Sequence, residues 1–313
     1  MSKNPQRKKL SRNGGRKKKE DRKKKIEDRR KLVLQSSIFH FPFSFFFLLS
    51  SIFHFLSSFF FLLSSLFPMR PLSGSQIIRI WEIGQHQHPL DRALTMLRFA
   101  CPEKSAAEIA SLCIGQRDAY LLTLREMTFG ATVTSFAECP QCQERLETNM
   151  NVADLRIVDL QEPKVQEYSL AVEGYNLRFR LPNSWDLATI ANYRDFQAAK
   201  MQLGQRCLLD AHYDGIAVAY QQLPPAIIAR MGEQMVEYDP QAEIILNFDC
   251  PACGHHWQLL FDIVSFFWTE LCAQAKRLLR EVHVLARFYG WREADILAMS
   301  TVRRHLYLGL VST

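Results

Sequence analysis

The spacing of apolar positions divides the chain into stretches of different period. Ile77 to Glu82, Leu90 to Ala100 and Ala106 to Leu112 each carry apolar residues at helical spacing, which predicts three short helices. Arg117 to Met127 continues the pattern through Ala119, Leu122, Leu124 and Met127, and Phe129-Gly130 should end it, because glycine suits a helix terminus. Ala131 to Ala137 and Arg145 to Val152 then read as short strands. Tyr168 to Leu181 alternates apolar and polar residues around Glu173-Gly174, a hairpin signal. Helical spacing returns in Trp185 to Asp210 and in Pro224 to Glu237, where a Pro-Pro pair suits a helix start. Glu243 to Phe248 and His256 to Phe261 are strand-like again. Phe267, Leu271, Leu278, Val282 and Leu285 mark one face of a long helix that Gly290 should end. Two shorter helices follow, with Ser300 at the N-cap of the last.

The first 68 residues do not fit this description. Residues 1–31 hold 16 Lys and Arg against 4 acidic residues and cannot bury enough apolar surface to fold, so they read as a basic disordered tail. From Leu32 to Met69 there is no charge, and this stretch carries twelve of the chain's 22 phenylalanines. Ser37 to Ser50 recurs as Ser51 to Ser64 with 12 of 14 positions identical. Two readings stay open for 32–68. Residues 32–67 are long enough for a membrane anchor with the basic flank on the cytoplasmic side. Alternatively, repetitive DNA upstream has been translated and Met69 is the true start. A signal peptide fits less well, because both the basic and the apolar regions are too long.

The tail also explains the overall charge. The chain's formal net charge is +7, yet the residues after Lys31 hold 23 basic against 28 acidic side chains, so the body is mildly acidic. A nucleic-acid surface would therefore have to rest on the tail alone. With 313 residues and 48% hydrophobic content, the chain suffices for one large or two ordinary domains.

Of the eight cysteines, four form two Cys-Pro-x-Cys pairs, Cys139/Cys142 and Cys250/Cys253, while Cys101, Cys113, Cys207 and Cys272 lie among apolar residues and read as core. Each pair stands between strands, and the flanks match: Glu138 and Asp249 precede the first cysteine, Pro140 and Pro251 follow it, and Leu146 and Trp257 stand four residues beyond the second. A tight turn lets both thiolates of a pair face one ion, and two pairs complete a tetrahedron, so the four cysteines are expected to bind one structural Zn2+ as a zinc ribbon. Four thiolates leave no open position for water or substrate, which argues against an enzyme. The 107 residues between the pairs far exceed the usual ribbon spacing and require an insert whose ends lie close together. A thioredoxin-type redox site would need a helix directly after the cysteines. His255 and His256 are expected as exposed loop residues rather than ligands. His283 and His305 stand at no metal spacing, and Asp118 and Glu126 are not placed for acid/base work. The chain has no Gly-rich phosphate loop, nucleophile elbow or His-Glu-x-x-His.

The stretch Leu112 to Gly130, LCIGQRDAYLLTLREMTFG, followed by Cys139-Pro-Gln-Cys142, resembles the baseplate protein family of T-even phages. That family includes the hub assembly chaperone and has relatives in bacterial contractile injection systems. Leu285 to Ser300, LARFYGWREADILAMS, with Arg303-Arg304 and Tyr307, is similar to the end of the injection-system members. The likeness covers Met69 to Val311 and leaves out residues 1–68. It implies a non-enzymatic role in building a baseplate hub, with hub or spike proteins as partners, no small-molecule substrate and a cytoplasmic location. Membrane contact could arise only through 32–67. Arg117 and Asp118 are expected to open a helix near the first cysteine pair.

The expected fold is α+β: a helical part at 69–130, a split zinc ribbon formed by 131–153 and 241–262, an inserted hairpin with helices at 154–240, and C-terminal helices at 263–313. The rival function is a zinc-ribbon nucleic-acid binder using the basic arm.

Overall fold

The computed structural model describes residues 69–157 and 167–311. The tail and the Phe/Ser-rich segment, with the readings made for them, lie outside the described residues. Four helices open the described chain: α1 (Gly74–Gly84), α2 (Pro89–Ala100), α3 (Ala106–Ser111) and α4 (Ile114–Phe129). Ser73 with Gln76 and Ser105 with Glu108 form capping boxes that satisfy the first amides of α1 and α3. Helix α4 begins a turn before Arg117, so Arg117 and Asp118 stand inside it rather than opening it. The cause is tertiary: extended Cys113 bridges to Asn183, and the Ile114 amide donates to the Pro182 carbonyl at 3.1 Å. Gly130, at φ 95°, ends the helix.

Two hairpins and a four-stranded sheet follow. Strands β1 (Thr132–Glu138) and β2 (Arg145–Asn151) pair antiparallel, and a single turn, α5 (Val152–Leu155), leads onward. Strands β3 (Tyr168–Val172) and β4 (Tyr175–Phe179) form the hairpin expected around Glu173-Gly174. The stretch from Trp185 to Asp210 is not a continuous helix. It comprises α6 (Ser184–Ile190), α7 (Phe196–Cys207) and the start of β5 (Leu208–Tyr213), which pairs with β4 and turns through Asp214-Gly215 into β6 (Ile216–Ala217). Both turn residues have positive φ, so this dipeptide was a legible hairpin signal that helical spacing upstream obscured. After a 3-10 turn at Tyr220–Gln222 comes α8 (Pro225–Tyr238), then a second 3-10 turn at Pro240–Ala242. Strands β7 (Ile245–Asp249) and β8 (His256–Leu260) make the last hairpin. Helices α9 (Ile263–Tyr289), α10 (Glu293–Ala298) and α11 (Thr301–Val311) complete the described chain. It is thus a mixed α/β protein with small sheets.

Two apolar clusters hold these elements. The larger joins α1, α2, α4 and α9 through buried Ile80, Met96, Leu121, Leu124, Phe267 and Leu271. Helix α9 supplies the face expected of it, with Phe267, Leu271, Leu278 and Leu285 buried and Val282 at the margin. Cys101 and Cys207 are buried as expected, whereas Cys113 and Cys272 are only half-buried. The smaller cluster packs Leu177, Phe179 and Ala211 of the sheet against Ile227 and Met231 of α8. Gln241 joins the two ends of the intervening segment: its fully buried side chain accepts from the Ile157 amide at 2.6 Å and donates to the Leu155 carbonyl at 3.1 Å.

Buried ion pairs fix the helices further. Arg125 on α4 donates to both carboxylate oxygens of Glu270 on α9, at 2.9 and 2.6 Å, and to the Gly130 carbonyl at 2.7 Å. Glu281 on α9 takes Arg304 of α11 at 2.9 Å and Arg277 at 3.0 Å. Asp186 is wholly enclosed and accepts from Arg180, Arg206 and the Asn183 amide. Burial alone would push its carboxyl up, but these donors hold it below the usual carboxylate range. No helix among the described residues is long and apolar enough to cross a membrane.

Two outcomes follow from this packing. A Cβ at Gly115 would stand 2.1 Å from the buried Asp239 carboxylate, which accepts the Gly115 amide at 2.8 Å. Gly115→Ala is therefore expected to cost about 1–3 kcal/mol in denaturant unfolding, as overpacked sites do. Because the folded Asp186 carboxyl is depressed, its contribution is complete above the unfolded value of about 4 and disappears as pH falls through the folded value. Asp186→Asn should lower stability at neutral pH and flatten the loss of stability on acidification, measured by thermal melts across that range.

Candidate metal centre

The two cysteine pairs sit at the tips of the β1–β2 and β7–β8 hairpins and are built alike. In the first, the Cys139 amide donates to the Glu144 carbonyl and the Gln143 amide returns to the Cys139 carbonyl, both at 2.9 Å. In the second, the Cys250 amide donates to His255 and the Gly254 amide returns to Cys250, again at 2.9 Å. Gln143 at φ 63° and Gly254 at φ 71° occupy the same left-handed position, which lets each tip double back within a few residues. Leu146 faces Ala137 across one hairpin and Trp257 faces Phe248 across the other, so the flanking likeness seen in the sequence is a likeness of register.

The tips meet. The four sulfurs lie within 4.8 Å of one another, with Cys139 Sγ 3.7 Å from Cys253 Sγ and Cys142 Sγ 3.5 Å from Cys250 Sγ. A tetrahedral ion about 2.3 Å from each sulfur would space them about 3.8 Å apart, so the donor set fits a metal ion. The first cysteine of each pair is buried and the second exposed, which gives the cluster one face to the protein and one to solvent. Trp257 stacks with Phe248 at 5.3 Å and with His255 at 6.0 Å between ring centroids, bracing the second tip.

Electrostatics match a cation-binding role. At Cys142 the Glu144 amide favours the thiolate, yet desolvation and the three neighbouring thiols push the group up to about 12. At Cys250 desolvation is opposed by the Cys253 and Ala252 amides and by thiol donors, which bring it down to about 7. Crowded sulfurs thus resist ionising together without a cation, and a divalent ion would draw the protons off.

The other residues considered do not join the cluster. His255 is half-buried beside Trp257. His256 is exposed, on β8 rather than in a loop, and pairs with Asp249. Asp118 bonds Arg117 at 2.8 Å and Glu126 bonds Arg156, so the two carboxylates serve separate partners. His305 lies 3.4 Å from Glu281 within the α9–α11 ion-pair network, and His283 is exposed on α9. The pairing of Arg125 with Glu270, which braces the α4 end from which β1 departs, was not legible as a pair: its members are 145 positions apart.

Metal titration followed by elemental analysis is expected to give one ion per chain, and Cys250→Ser should abolish stoichiometric binding. A Cys207→Ser control, at a buried thiol outside the cluster, should keep its metal.

No curated protein and no solved structure matches the chain. A family model does: the one described as T4 bacteriophage base plate protein matches residues 90–268. That span contains the whole four-cysteine cluster, both hairpins that carry it and the helix α4 on which the resemblance was first read. The match covers more than half of the 313 residues, and the chain belongs to the T4 bacteriophage base plate protein family.

Proposed function

We propose that this protein is a hub assembly protein or chaperone of the baseplate of a phage-tail-like contractile injection system, acting by protein–protein recognition and not by catalysis. The family match carries the reading, and the cysteine cluster within the matched span supports its non-enzymatic form. In this reading the cluster holds one structural zinc ion through Cys139, Cys142, Cys250 and Cys253. Four thiolates would saturate it, leaving no position for water or substrate. The four-part division of residues 69–313 into a helical part, a split ribbon, an insert and C-terminal helices belongs to the same reading. Its partners are hub or spike proteins met in the cytoplasm.

Structural zinc in small peptides contributes on the order of 10 kcal/mol at neutral pH, so chelation should loosen the hairpin tips and with them any surface they present. The experiment is co-expression of the full chain with the hub and spike proteins of its own device. Co-purification of at least one of them is expected, with loss on Cys142→Ser/Cys253→Ser substitution. A zinc-loaded chain that associates with none of the baseplate components, and whose deletion leaves assembled devices unchanged, overturns the proposal.

A further inference from the structure

Beside the cysteine cluster runs an open groove of about 580 Å³ between β1, the β7–β8 hairpin and the first turns of α9. Its lining is mainly apolar, including Phe136, Leu246, Leu260 and Phe266. Phe136 is 71% exposed and Leu260 62% exposed, so the described residues leave the groove open.

The backbone of β1 says what kind of ligand this wall takes. Four consecutive residues, Thr134 to Ala137, line the groove. Side chains alternate between the faces of a strand, so a run of consecutive lining residues means that the strand presents its edge. That edge is unpaired: among the described residues β1 bonds only β2. The parity of the ladder follows from its two ends, where Cys139 pairs with Glu144 and Ala131 accepts from Val152. In an antiparallel pair, hydrogen-bonded positions alternate, so Val133, Ser135 and Ala137 bond inward to β2. Thr132, Thr134, Phe136 and Glu138 therefore direct their amides and carbonyls away from β2, toward the groove side. Two charged residues line the groove: Glu270 is neutralised by its bidentate pair with Arg125, whereas Asp262 forms no ion pair among the described residues and leaves one acidic charge at the groove.

We propose that the groove receives an extended segment of a partner protein, added as a strand to the free edge of β1, with apolar side chains seated against Leu246, Phe266 and Leu260 and a basic side chain toward Asp262. Strand addition uses main-chain bonds for affinity and alternate side-chain pockets for selection, and this groove offers both. An exposed strand edge with no proline is otherwise a site for unwanted pairing, which gives a covered edge a physical rationale. The proposal rests on the reading of the protein as a partner-binding one and names the surface through which it acts.

The test uses the full metal-loaded chain and a synthetic octapeptide alternating valine and lysine. Binding should slow amide exchange at Thr134 and Phe136, while Val133 and Ser135, already bonded to β2, change little. The same peptide methylated on alternate backbone nitrogens should not bind. Thr134→Pro removes an outward amide and no backbone bond to β2, and Thr134→Val serves as the control for the exposed side-chain bond to Asn149 that the proline also removes. The proline variant should keep metal content and fold while weakening the peptide by about tenfold, and the valine variant should bind it as the unaltered chain does. Absence of peptide binding, equal binding by Thr134→Pro, or protection elsewhere overturns the groove. The two readings separate cleanly: Thr134→Pro that still captures hub or spike proteins sinks the groove alone, whereas peptide binding at β1 by a chain that captures no baseplate component sinks the baseplate role and leaves the groove standing.

Discussion

The convergence of four thiols from two hairpin tips is the constraint on which the rest of the structure depends. Cys139 and Cys142 are separated from Cys250 and Cys253 by more than a hundred residues, and bringing them together closes a loop of that length. For a covalent cross-link, a loop of this size corresponds to about 4–5 kcal/mol of chain entropy removed from the unfolded state. A metal bridge would act in the same direction, with the strength of four bonds rather than one. The hairpins themselves are small two-stranded units, which are marginal alone, so their stability comes from being joined to each other and to the helical core.

The helical core sets where those hairpins stand. Gly130 ends α4, and Arg125 ties both that carbonyl and Glu270 of α9 into one buried group. Strand β1 leaves from this point and β8 leads directly into α9, so one ion pair relates the two hairpins at their bases while the sulfurs relate them at their tips. Removing one partner would leave a buried charge uncompensated, which is the costly way to break such a pair. At the far end Gln241 holds the beginning and end of the intervening segment together, so the sheet and α8 can form their own small core without spreading the hairpins apart.

The four cysteine sulfurs stand together at the hairpin tips, and buried carboxylates elsewhere are engaged in ion pairs: Asp186 with Arg180 and Arg206, Glu281 with Arg304 and Arg277, Asp118 with Arg117. Between β1, the β7–β8 hairpin and the start of α9 the described residues leave an apolar trough bordered by a strand edge.

Much of this was legible residue by residue. Helices α1 to α4, α8 and α9 and the two cysteine hairpins appear where periodicity and turn residues place them, because helical spacing and Cys-Pro-x-Cys turns are local properties of the chain. The identity of the four clustered cysteines was also written in their matching flanks, since the two tips share one backbone geometry. The helix expected across Leu208 was instead a strand, because β4 offered it an edge and the helical spacing upstream obscured the Asp214-Gly215 turn that signals the hairpin. Burial divided the other four cysteines evenly, although their apolar neighbours looked alike. The pairing of Arg125 with Glu270, the stitch at Gln241 and the free edge of β1 depend on contacts between residues distant along the chain. Only the tertiary structure decided them, because a hydrogen-bond partner or an uncovered edge is a property of what packs alongside and not of the residue that bears it.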